Sequence, residues 1–349
     1  MPQISCLKFT ILLGASVALT AAVASTPAPA AECSEVRLDK AGGSMARIPV
    51  LHQDGTETCY AYAAAQLADA FRHRTVRELA AKGEATPELL ELHLKHITSP
   101  LVAAVNTAYA AGQDTVNQGH VTKALKSIFQ NGSCSHRRIG DRFGAYDSKG
   151  FLAELKDYFD GMRARAPGTP IDAPPAPLDC CLESRDPGAP LSRRNLEKFL
   201  RATNFVGFLK DAFEAACRRD TLTVPGAEPQ AFYGHQQPNV ALRQQRFQGT
   251  LYKFSKPTDL PIAINYCADI LYSRDKTGVG TNGMAVGCAT HHSAAIVGRR
   301  PGPGGTCQFL VRNSYGDSNN GYAWPAERGQ VWIDEAALLR NLTGTVVLE

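Results

Sequence analysis

The chain has 349 residues, 44% hydrophobic and 20% charged, enough apolar material to bury a core without help from a metal. Its formal net charge of +4 comes from both signs scattered along the sequence. No block of like charge offers a nucleic-acid face or a membrane-surface patch, so neither partner is expected.

Lys8 precedes an apolar run from Phe9 to Ala24, and a stretch of small residues from Ser25 to Ala31 follows. This order of basic, apolar and small residues predicts a secretory signal over residues 1–31, cleaved between Ala24 and Ala31. The run is short for a membrane span, which needs about 20 apolar residues, so no membrane anchor is expected. Export sets the reading of the ten cysteines. Cys6 leaves with the signal. The odd number left in an oxidising compartment predicts one thiol kept free. The other eight allow up to four bridges, in connectivities the sequence does not choose among.

Apolar residues recur at helical spacing from Tyr60 to Arg74, with alanines filling the gaps. Thr56 to Thr58 place hydroxyls where a helix cap is wanted. Thr86-Pro87 opens a second helix through about His96, and Val121 to Phe129 predicts a third, stopped at Asn131-Gly132. Phe151 to Arg165 and Leu191 to Arg219 are also helical in pattern, separated by a proline-rich connector from Pro167 to Pro190. Short strand-like runs follow at Pro261–Tyr266, Ser293–Arg299, Gln308–Asn313 and Gly329–Ile333. A helix from Asp334 to Asn341 and a strand from Thr345 to Leu348 close the chain. Helices first and strands last predict an α+β fold with two packed halves.

The chemistry starts in Gln53-Asp54-Gly55-Thr56-Glu57-Thr58-Cys59-Tyr60. Cys59 sits where the first long helix begins, and the positive end of a helix dipole lowers a thiol pKa. The Gln53 amide, six residues upstream, can join the Cys59 backbone N–H in an oxyanion hole. His291-His292-Ser293-Ala294-Ala295-Ile296-Val297-Gly298 places histidine at the mouth of a strand. Asn313-Ser314-Tyr315-Gly316 places an amide at the end of the next, where it can fix an imidazole tautomer.

Cysteine, histidine and asparagine in this order resemble the papain family of cysteine peptidases. Asn117-Gln118-Gly119-His120-Val121 resembles that family's cleft segment, Pro261-Ile262-Ala263-Ile264 the strand leading to the histidine, and Gly329-Gln330-Val331-Trp332-Ile333 the closing strand. The resemblance covers residues 47–132 and 250–349. It implies a two-lobed fold: a helical lobe over about 45–135 that carries the catalytic helix, and a β-barrel-like lobe over about 250–349. An insertion of about 140–248 is expected between them.

Carried over by position, Cys59 is the nucleophile, His292 the acid/base, Asn313 its orienting partner and Gln53 the oxyanion donor. His292 rather than His291 keeps the family's spacing to Gly298. Gly119 is expected to pair with an extended substrate. His120, Val121, Asn265 and Ser293 are expected to form the pocket for the second residue before the scissile bond. Tyr315 and Tyr60 stand where the family has tryptophans. The implied activity is peptide-bond hydrolysis through a thioester, with a protein or peptide substrate and a proteinaceous inhibitor as expected partners. No cofactor and no metal are expected.

Three departures stand out. Little chain separates the expected signal from Gln53, which leaves no room for the family's pro-segment. The approach loop to Cys59 differs in sequence. Cys59 and His292 lie further apart than the family's usual 130–150 or so residues. The insertion is therefore expected to gate the cleft. Other acyl-transfer chemistries, or a binding role on the same fold, remain as alternatives. So does a metal held by Cys288, His291, His292 and Cys307. A bridge between two of Cys267, Cys288 and Cys307 is expected, and Cys180 and Cys181 are expected to bridge to two different partners. Asn131 and Asn341 stand in glycosylation sequons.

Overall fold

The computed structural model describes residues 33–143, 148–164, 202–217, 221–223, 226–318 and 321–349. The expected signal segment, the connector Pro167–Pro190 and the cysteines Cys180 and Cys181 lie outside the described residues.

The first helix, α1, runs Cys59–Ala81 and is buried on nearly every face from Tyr60 to Ala70. Its alanines let α3 (Pro100–Ala110), α4 (Val121–Asn131) and strand β6 (His291–Pro301) approach closely. Between α1 and α3, α2 spans Pro87–Lys95, with the Thr86 side chain accepting from the Leu89 N–H as expected. The sequence reading omitted α3. Its apolar residues leave no amphipathic stripe, yet Ser99 caps it and Pro100 opens it, the local signal that was there to be read. α4 ends at Gly132, whose φ of +77° no β-carbon tolerates cheaply.

Helices α5 (His136–Phe143), α6 (Ser148–Ala164) and α7 (Phe205–Cys217) extend the helical half. The two-residue strands β2 (Ser133–Cys134) and β3 (Thr221–Leu222) pair beside them. The strands and helices that follow are β4 (Pro229–Tyr233), α8 (Val240–Leu251), β5 (Ile262–Cys267), β6, β7 (Cys307–Arg312), β8 (Ala326–Glu327), β9 (Gln330–Asp334), α9 (Glu335–Leu339) and β10 (Leu342–Leu348). With β1 (Val36–Arg37) against β6, they build one antiparallel sheet in the order β4-β10-β5-β6-β7-β9-β8. The predicted α+β class holds: helices and an antiparallel sheet pack around one core that includes Leu67, Val105, Leu125, Ile264, Ile296 and Phe309.

Three strands of this sheet, β1, β4 and the two-residue β8, were not predicted. β1 is two residues long, too short to show a period. β4 falls within residues 140–248 and pairs with β10 along the edge, Tyr233 opposite Gly344 and Phe232 opposite Thr345.

A buried polar knot ties α1 to the segment before α3. Asp69 and Arg72 pair at 2.8 Å, both almost fully buried. Asp69 accepts from the Thr98 backbone N–H at 3.0 Å and from its hydroxyl, while Arg72 donates to the His96 carbonyl. His73 is fully buried beside them. Neither of its ring nitrogens makes a well-formed hydrogen bond among the described residues, although a backbone group of His93 approaches the ring.

Three disulfides are present among the described residues: Cys33–Cys307, Cys134–Cys217 and Cys267–Cys288. The last joins two of the three cysteines expected to bridge. The first takes Cys307, and with Cys288 also bridged the alternative metal site loses both of its thiolates. Cys267, Asp269 and Cys288 cluster within a metal's reach, but two of those sulfurs are bonded to each other. The six bridged cysteines leave Cys59 as the one free thiol among the described residues, so none of the six is open to Cys180 or Cys181. Asn341 is fully buried and donates to the Lys276 and Ala337 carbonyls, so its sequon is closed to a glycan in the folded chain.

Candidate active site

Cys59 is the first residue of α1 and is partly exposed. The Thr56–Thr58 hydroxyls do not cap this helix as expected. Thr58 is the N-cap residue, but its hydroxyl meets that of Thr56 at 2.7 Å instead of a helix N–H. The sulfur is influenced instead by the Ser293 backbone N–H and hydroxyl and by the Tyr60 and Cys59 N–H groups, all of which favour thiolate. Burial outweighs them and pushes the Cys59 thiol up. This corrects the expected lowering: desolvation is the larger effect here.

His292 is buried at the start of β6, opposite Tyr266 of β5. Its Nε2 meets the Asn313 Oδ1 in a short hydrogen bond. Burial holds the imidazole down to about 4, although the bond to Asn313 pulls it up. Thiol and imidazole are thus both held towards their neutral forms. His291, next door, is exposed.

Asn313 follows the last residue of β7 and is fully buried. The Ser314 N–H donates to its Oδ1 at 2.9 Å, and its Nδ2 reaches the Tyr322 hydroxyl at 3.4 Å. Tyr315 lies against His292, ring centroids 4.9 Å apart, with its hydroxyl 3.4 Å from Nδ1. The Tyr315 ring lies against the imidazole, and its hydroxyl can both donate and accept, where an indole N–H only donates. Tyr266 packs edge-on against the other side of His292, centroids 5.9 Å apart. Its buried hydroxyl has no hydrogen-bond partner among the described residues, and the sequence reading did not single out its packing on His292.

Gln53 is buried and fixed at both ends of its amide. Oε1 accepts from the Ser314 hydroxyl, and Nε2 donates to the Thr56 carbonyl at 2.6 Å. One of its two amide hydrogens is therefore committed to its own loop. That loop is tied to the asparagine turn: the Gln53 N–H donates to the Ser314 carbonyl at 2.9 Å, and His52 bridges to Tyr315. Gly316 sits in this joint with φ +78°, where a β-carbon would fall 2.7 Å from the His52 ring. Ser314 thus holds Gln53 through both its hydroxyl and its carbonyl; the motif contained it and the sequence reading did not single it out.

The expected cleft residues separate into two groups. Gly119 lies over the Tyr60 ring, which leaves no room for a β-carbon, while the Tyr60 hydroxyl donates to the Val116 carbonyl at 3.0 Å. His120 is exposed at the N-cap of α4. Ser293 donates to the Asn265 Oδ1 at 2.7 Å, across the β5–β6 pair. Val121, by contrast, is completely buried, so it does not offer the exposed pocket wall expected of it.

No family model matches this chain, and no curated protein matches it. Solved structures similar to it include bromelain from Ananas comosus with a bound inhibitor, at 12% identity and a TM-score of 0.40, covering 90% of this chain and 98% of that one. Xylellain, a cysteine protease from Xylella fastidiosa, is similar at 13% identity and a TM-score of 0.41, over 91% of this chain and 87% of that one. The ragweed pollen cysteine protease Amb a 11 in its proform is similar at 12% identity and a TM-score of 0.40, over 93% of this chain and 66% of that one.

Proposed function

We propose that this chain is a secreted cysteine peptidase that hydrolyses peptide bonds through Cys59, His292 and Asn313. One observation carries the reading. The free thiol at the start of α1 lies within reach of Ser293, and the adjacent His292 is held by the amide of Asn313. Three disulfides fit an oxidising compartment, and no helix among the described residues is long and apolar enough to cross a membrane.

In this reading His292 takes the Cys59 proton as the sulfur attacks the substrate carbonyl. The Cys59 N–H and the second amide hydrogen of Gln53 receive the developing oxyanion. The imidazolium returns its proton to the leaving amine, which departs and leaves a thioester. His292 then draws a proton from water, whose oxygen displaces the thiolate. Asn313 keeps Nε2 engaged, so Nδ1 is the nitrogen that exchanges the proton.

An epoxide or vinyl-sulfone peptide inhibitor should add once, on the peptide containing Cys59. His292→Ala should lower turnover by roughly 10²-fold or more, and His291→Ala should leave most of it. Labelling that survives Cys59→Ala, or loss of activity in His291→Ala alone, rejects the assignment.

A further inference from the structure

β4 delivers Tyr233 to the cleft, and the 3₁₀ turn Gly234–Gln236 delivers His235 beside it. A chain of contacts leads outward from the nucleophile to these two residues. Ser293 reaches the Cys59 sulfur and also donates to Asn265. The Asn265 amide and the Tyr233 ring approach each other over Gly344. A β-carbon on Gly344 would lie 3.1 Å from Asn265 Nδ2 and 2.8 Å from Tyr233 Cδ1. Tyr233 in turn meets His120 edge-on at 6.3 Å between centroids and stacks on His235 at 5.9 Å, while its hydroxyl lies 3.5 Å from that of Thr122.

This wall is firmly held. Gly234 touches the backbone of Gly283 so closely that a β-carbon on either would clash. Buried Arg243 donates to the carbonyls of Gln237, Gly280 and Thr281 at 3.0–3.3 Å, clamping the turn to the β5–β6 loop.

It offers hydrogen-bond donors: the Asn265 Nδ2 group, the Tyr233 hydroxyl and an N–H on each imidazole. Asn265 Oδ1 is committed to Ser293, whereas Nδ2 makes no hydrogen bond among the described residues. The His120 and His235 rings make none either, and no carboxylate stands among these residues. A purely aliphatic guest leaves such donors without acceptors when it excludes water.

We propose that Tyr233 and His235 form the outer wall of the pocket at His120, Asn265 and Ser293, and that this pocket selects substrate side chains carrying a carboxamide or carboxylate. The inference rests on the peptidase reading and gives that site a substrate class.

The test is a set of peptides differing only at the second residue before the scissile bond, with Gln, Glu, Leu or Phe there. Gln and Glu should exceed Leu and Phe in kcat/KM by about 10-fold or more. Tyr233→Ala and Asn265→Ala should each bring that ratio to within about 3-fold, mainly through KM, with inhibitor labelling of Cys59 retained. If Tyr233→Ala does not fold, Tyr233→Phe and His235→Ala carry the same comparison. Preference for Leu or Phe, or a Gln/Glu preference untouched by the variants that fold, overturns the pocket alone. Failure of every peptide to be cleaved in a Cys59-dependent way overturns the peptidase reading and the pocket together.

Discussion

His292 is under two opposed influences: burial disfavours its charged form, and the bond to Asn313 favours it. Burial wins, so the acid limb of kcat/KM should fall below the ordinary imidazole value, towards about 4. The alkaline limb should lie above the ordinary thiol range, because burial also raises Cys59. Asn313→Ala removes the raising influence, so it should shift the acid limb lower as well as reduce kcat. An acid limb that stays in place would mean Asn313 does not act through the imidazole. Gly119 makes a separate case. A methyl group there meets the Tyr60 ring at 2.3 Å, so Gly119→Ala should displace the cleft segment at a cost of about 1–3 kcal/mol. Steady-state kinetics should show KM rising while Cys59 still accepts inhibitor. The motif showed that a glycine stands here, but not that the ring of Tyr60 is the reason.

Among elements, α1 does two jobs that its sequence pattern only half reveals. Its alanines mark a helix packed on several sides, and its first residue carries the thiol. Asp69 and Arg72 on the same helix give no hint in sequence that they are buried, because charged residues are usually exposed. Their partners, Thr98 and His96, arrive only when the chain turns back before α3. Asp69→Ala leaves the Arg72 guanidinium buried without its counter-ion and should cost about 3–5 kcal/mol in denaturant unfolding. Replacing both residues with apolar side chains of similar volume should recover much of that loss. β4 illustrates the opposite limit. It is an edge strand whose neighbour, β10, lies more than a hundred residues away, so nothing local marked it as part of the sheet.

At the scale of the whole molecule, acid is the expected weak point. Burial depresses His73 and His96 to about 3, in each case with Arg72 adding to the effect, and depresses His292 to about 4. A histidine depressed on folding is neutral in the native state and takes up a proton on unfolding once the pH is below about 6.5. Its stabilising contribution is therefore present above about 6.5 and is lost as the pH falls from there towards 3–4. Each such histidine adds a slope of about 1.4 kcal/mol per pH unit within that window. Unfolding curves between pH 7 and 4 should show stability declining, and His73→Leu should flatten the decline. Equal slopes in the two proteins would mean that His73 is protonated in the native state.

The sequence by itself determined the order of the main elements, the α+β class and the cysteine, histidine and asparagine segments. Each is written locally, as a helical or strand period, a cap, a turn glycine or a short motif. The tertiary structure decided the rest. Burial, which depends on what packs around a group, reversed the expected direction for the Cys59 thiol. Chain return placed Ser314 against Gln53, and Tyr233 across Gly344 from Asn265. It also sealed Val121 and Asn341 inside. A motif states which groups are available; desolvation and contacts between distant segments decide how each is tuned and which of them a substrate can reach.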